Sequence, residues 1–214
     1  MAGIVLEKGK SKNYIKKNGL KGEQKELVVK YFGAADLGCF KKPMSAEEYH
    51  AKVRAKAKSF NPIQRGLKKF GVDAEEVSEI KPVDIYGYDY EGNYLIGPGG
   101  LSSKYEVTVL YFSDKQIYVY NLVFDMLSNS LKERAEEYFY KDVTNITTIE
   151  DNRETTDIQK GCVGTKVVKG TDSSTDLKIV VPGESFVCGV YPKDNADFES
   201  RIRAVKAKLR EKKA

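Results

Sequence analysis

The stretch that most constrains this chain runs from residue 105 to residue 124. Two runs, 105–112 and 116–124, are dense in Val, Ile, Leu, Tyr and Phe, and Ser113-Asp114-Lys115 separates them. β-Branched and aromatic side chains fit a pleated surface, and a short polar break between two such runs marks a hairpin. A chain built round this hairpin cannot be an all-helical bundle. The surrounding pattern agrees. Before Pro82 apolar residues recur at helical spacing, and after it they alternate. Residues 83–90 read as a strand, Glu91-Gly92-Asn93 as a turn and 97–103 as a loop. Residues 137–143 read as a further strand, and the polar stretch 150–162 as a long loop. Residues 165–169 and 175–181 flank Gly170-Thr171-Asp172-Ser173-Ser174 and predict a second hairpin. Residues 185–191 form the last strand.

The chain closes with a helix that Asp194 or Asn195 can cap. Phe198, Ile202, Val205 and Leu209 fall on one stripe of it, and Arg201, Arg203, Lys206, Lys208 and Arg210 on the other faces. Helices also precede the strands. Leu27, Val28, Tyr31 and Phe32 share helical spacing, with Gly33 as a stop. Ser45 and Glu48 form a capping box, and Met44 with Tyr49 the hydrophobic staple, ahead of the stripe Tyr49, Val53, Ala57 and Phe60. Pro62 opens a third helix that ends before Gly71. These stripes are narrow, so the helical unit docks on the body or on a partner chain. Residues 1–22, with six lysines from Lys8 to Lys21 and no clear period, read as a basic flexible arm.

Six or seven short antiparallel strands followed by one amphipathic helix resemble the pleckstrin-homology-like (PH-like) plan. The segments SKYEVTVLYFSDKQIYVY and EEYFYKDVTNITT are similar to an uncharacterised bacterial family of that class. The resemblance covers residues 80–214 and implies an α+β fold. In that fold a bent antiparallel sheet, or incomplete β-barrel, is capped by the C-terminal amphipathic helix. The helical third lies outside the resemblance, and the residue pattern divides the chain into an arm over 1–22, a small helical region over 23–79 and the PH-like domain over 80–214. The change of period near Pro82 and the stripe of the last helix predict that residues 78–214 fold alone. The resemblance implies no chemistry. It does imply a non-catalytic binding or interaction module whose partner is a protein or a second copy of itself.

Charge is unevenly distributed. Residues 1–70 hold 17 Lys/Arg against 6 Asp/Glu, residues 71–200 hold 12 against 24, and residues 201–214 hold 7 against 1. The near match of basic head and acidic body predicts that they pack on each other. The alternative is a basic-arm protein that touches an anionic membrane surface or nucleic acid through its N-terminal helices. No apolar run approaches the ~20 residues needed to span a bilayer. Cys39, Cys162 and Cys188 are scattered and odd in number, as expected of free thiols in a cytoplasmic protein.

Catalytic signatures are lacking. The single histidine, His50, reads as a surface residue of the basic helix. The cysteines lack zinc-site spacing, and Gly97-Pro98-Gly99-Gly100 lacks the Gly-Lys-Ser/Thr ending of a phosphate loop. No metal or organic cofactor is therefore expected. Candidate contact residues for a ligand or partner are Lys81 and Lys104 on the first strands and Lys52, Arg54 and Lys56 on the basic helix. Asp84, Asp89 and Glu91 interrupt the first two, which argues against specific phosphoinositide binding.

Overall fold

The computed structural model describes residues 3–37, 42–77, 80–161 and 164–213, without the side chains of 80, 151–161, 164–174 and 213. Cys39 and Cys162 lie outside the described residues. In chain order the elements are β1 (Ile4–Val5), α1 (Ser11–Asn18), α2 (Gly22–Leu27), α3 (Ala46–Ser59), α4 (Pro62–Phe70), β2 (Ile80–Asp89), β3 (Leu95–Ile96), β4 (Lys104–Phe112), β5 (Gln116–Asp125), β6 (Leu131–Phe139), β7 (Asn145–Gly161), β8 (Gly164–Val181), β9 (Glu184–Val190) and α5 (Phe198–Lys213). One antiparallel sheet runs β2-β4-β5-β6 and a second β7-β8-β9, while β1 pairs with β3 in parallel. No helix among the described residues is long and apolar enough to cross a membrane.

The alternation of β4 and β5 sorts the first sheet into two faces. Tyr105, Val107, Val109 and Tyr111 with Tyr118, Tyr120, Leu122 and Phe124 share one core with Leu27, Val28, Tyr31, Tyr49, Val53 and Leu67 of the helical region. Leu110, Phe112, Ile117 and Val119 share another with Leu177, Ile179, Phe186 and Cys188, and with Phe198, Ile202, Val205 and Leu209 of α5. Both faces are therefore covered. The change of pattern near Pro82 separates two periodicities and not two cores.

Local chemistry explains the helices. Ser45 and Glu48 close the capping box through Glu48 N–H to Ser45 Oγ at 3.1 Å and Ser45 N–H to Glu48 Oε2 at 2.8 Å. Pro62 begins α4, and Gly71 ends it at φ 69°, a left-handed geometry that costs glycine little. A π-helical turn, Val28–Phe32, follows α2 and seats Tyr31, whose ring stacks on Tyr49 at 4.1 Å. Residues 11–18, expected to lack regular structure, form α1, and Leu6, Ser11 and Leu20 around it are buried. Lysines hid that helix because its apolar contribution is one short strip, Tyr14 and Ile15.

The second sheet departs from expectation. Residues 150–162 have the composition of a loop, yet those up to Gly161 lie in β7. Gly170–Ser174, with the composition of a turn, lies inside β8 and pairs with residues 151–155. Turn-forming composition yields here to a long antiparallel ladder. Beyond the reach of β9 this ladder continues as a two-stranded ribbon, and β7 passes close to the Pro98–Gly100 turn. The strand expected over 137–143 is β6, which starts earlier and ends at Phe139.

Candidate functional site

Where β2 meets β9, two glycines let the sheets touch. A Cβ on Gly87 would lie 2.2 Å from the carbonyl oxygen of Gly189, so only a bare backbone fits. Glu106 is the cross-strand neighbour of Gly87. Its Oε1 accepts the Gly189 N–H at 2.5 Å, and its Oε2 accepts from Asn121 Nδ2 at 3.0 Å. Asn121 also donates to Thr108 Oγ1 at 2.9 Å. Glu106 thus ties the first sheet to β9. Burial drives its carboxyl up to about 7, against the two hydrogen bonds, which favour the charged form.

Above this tie a cleft of about 1100 Å³ opens between the sheets. Glu106, Asn121, Val123 and Arg134 line it from the first sheet, and Asp176 and Phe186 from the second. Arg134 lies 5.6 Å from the centroid of the Phe186 ring, a cation–π contact across the cleft. Asp89 and Asp125 also line it, and desolvation raises both carboxyls.

A second polar cluster joins α3 to the start of the C-terminal segment. His50 Nδ1 lies 2.8 Å from Tyr88 Oη, and its Nε2 lies 3.0 Å from Asp194 Oδ1. Tyr105 donates its hydroxyl to the same carboxylate, and Arg54 pairs with it at 3.4 Å while lying over the Tyr86 ring. His50 is therefore an internal connector, not the surface residue that its basic helix suggested. Its side chain is 16% exposed. Asp194 and Asn195 do not serve as side-chain caps of α5. Asp194 holds His50, and Asn195 bonds the backbone of Tyr86 through both ends of its amide.

The five candidate contact residues do not converge. Lys52 pairs with Glu23 at 2.8 Å, Arg54 with Asp194, and Lys56 donates to the Asp125 carbonyl at 2.8 Å. All three are spent in tying α3 to the rest of the molecule. Lys104 lines the cleft and donates to the Glu91 carbonyl at 2.8 Å. Lys81 is exposed at the far end of β2. The ladder pairs Lys104 with Asp89, eight residues beyond Lys81, so the two lysines stand about 26 Å apart at the usual rise per residue. They cannot clamp one small anion.

Sequence reasoning missed Glu106 and Asn121. Their signal was the parity of the hairpin. Glu106, Thr108, Leu110 and Phe112 share a face that is polar at one end and apolar at the other.

No family model matches the chain, and no curated protein or solved structure matches it.

Proposed function

We propose that the protein is a non-catalytic binding module of PH-like plan that holds a segment of a protein partner between its two sheets. The observation that carries this reading is the cleft of about 1100 Å³, with an apolar patch at Val123 and a polar floor at Glu106 and Asn121. Such mixed lining suits a peptide, with its backbone polar groups and apolar side chains. The four-strand meander, the three-strand meander and the closing helix α5 support the PH-like plan. Among the described residues, Glu106 is engaged by Gly189 and Asn121, and neither the histidine nor the cysteine is free to act. Both ring nitrogens of His50 are engaged, and burial holds the Cys188 thiol well above its ordinary range.

Selection from a random peptide display library tests the reading, followed by fluorescence anisotropy on the selected peptides. Val123→Trp should obstruct the cleft beside Glu106 and Asn121 and weaken binding at least about tenfold, while circular dichroism shows the fold intact. Failure to select any peptide, or binding indifferent to Val123→Trp, would sink the proposal.

One observation favours a second reading, contact with an anionic surface. Lys12, Lys16, Lys17 and Lys21 are exposed along α1 and just after it. Cosedimentation with anionic vesicles that falls steeply with salt would support it.

A further inference from the structure

The edges β2 and β9 meet at the Gly87–Gly189 corner, which leaves β6 and β7 as the outer strands of the two larger sheets. These two edges differ in chemistry. β6 carries Lys132, Glu133, Arg134, Glu136 and Glu137 within nine residues. Charges of this density keep an edge from pairing with another chain. From Thr144 to Ile149 the other edge has no charged residue, and three of its residues are Thr and two Ile. Thr144, Asn145 and Ile149 are exposed there, Ile149 by 44%.

We propose that this edge pairs antiparallel with the same edge of a second copy, centred on Thr147. An antiparallel pair on a two-fold axis needs a strand that complements itself. Centred on Thr147, the register sets Thr147 against Thr147, Thr148 against Ile146, Ile149 against Asn145 and Glu150 against Thr144. Over residues 144–150 no like charges meet, and β-branched residues face one another across the seam. The two three-stranded sheets become one six-stranded sheet across the dimer. Pairing centred on the charged β6 edge would instead set Ala135 on the axis and bring Arg134 against Glu136. The same register sets Glu133 against Glu137, so like charges face each other on both sides of the axis. The proposal concerns a different surface from the cleft and does not depend on the peptide-binding reading.

Sedimentation velocity on the full chain, with Thr147→Lys and Thr147→Asp, tests it. The wild type should dimerise in the micromolar range. Each variant alone places like charges on the axis, so its dimer should weaken about tenfold or more. An equimolar mixture of the two should recover a heterodimer, which shows that both variants are folded. A wild type that stays monomeric, or a dimer indifferent to both substitutions, overturns the proposal. Peptide capture by monomeric Thr147→Lys should be unchanged, so loss of cleft binding and loss of dimerisation are separate results.

Discussion

Replacing Glu106 by Gln should abolish a specific pH dependence of stability. The Glu106 carboxyl moves from an ordinary 4.5 to about 7 in the fold, chiefly through desolvation. A carboxyl raised by folding contributes stability that is fully present below 4.5 and is lost as the pH rises through about 7. At 1.36 kcal/mol per tenfold change in acid dissociation, the ionised fold loses about 3 kcal/mol. The glutamine side chain keeps an oxygen for the Gly189 N–H, and Asn121 can turn its amide to accept from the new NH₂ while Thr108 donates to it. Glu106→Gln should therefore match the wild type near pH 4 and exceed it by about 3 kcal/mol near pH 8. Urea denaturation of both proteins at the two pH values measures this. Taking the difference between them removes groups whose titration they share, Asp89 and Asp125 included, which burial also raises. Parallel stability profiles would refute the reasoning, because they would mean that the carboxylate stays hydrated at the sheet corner.

Three other perturbations probe the same framework. Gly87→Ala sets a methyl 2.2 Å from the Gly189 carbonyl oxygen; it should cost about 3 kcal/mol in thermal or urea unfolding, since both clashing partners are backbone. Ile202 is 2% exposed against the second sheet, so Ile202→Asp buries an unpaired charge and should remove the cooperative thermal transition at neutral pH. Arg65 and Tyr120 hold the Glu133 carboxyl down at about 2. A lowered carboxyl stabilises above its ordinary 4.5 and loses that contribution as the pH falls towards 2, so Arg65→Gln should cost roughly 1 kcal/mol at pH 7, after screening at a partly exposed pair, and nothing at pH 2.

Local signals in the sequence carried far, and their limit is sequence separation. The capping box of α3, the Pro62 start and Gly71 end of α4, the Ser113–Lys115 turn and the stripe of α5 each depend on residues a few positions apart. Each appears in the structure as read. The failures involve distant partners. His50 and Asp194 are 144 positions apart, so a histidine amid lysines gave no hint of two internal hydrogen bonds. Gly170–Ser174 has the composition of a turn, and only its pairing with residues 151–155 makes it strand. Gly87 and Gly189 each look like weak points in a strand. Together they form the corner where the two sheets can approach.

The site itself sits between these cases. Glu106, Thr108 and Asn121 occupy one face of a hairpin whose register is fixed by a short turn. Their shared orientation was therefore available from alternation alone. What alternation cannot supply is the identity of the opposite wall. The same three side chains would be a solvated strand end if β9 lay elsewhere. Because Gly189 approaches Gly87, they become a buried tie at the base of a cleft. The helical region acts on the other face in the same way. Tyr105, Tyr111 and Tyr120 are fully buried there. Their hydroxyls reach Asp194 before α5, the Ile63 carbonyl on α4 and Glu133 on β6. Without residues 1–79 that face would present these rings and five further large apolar side chains to water. Residues 80–214 alone should therefore aggregate or bind a hydrophobic dye, and a truncated protein that is monomeric, cooperative and dye-free would show that the helices are dispensable to the sheet.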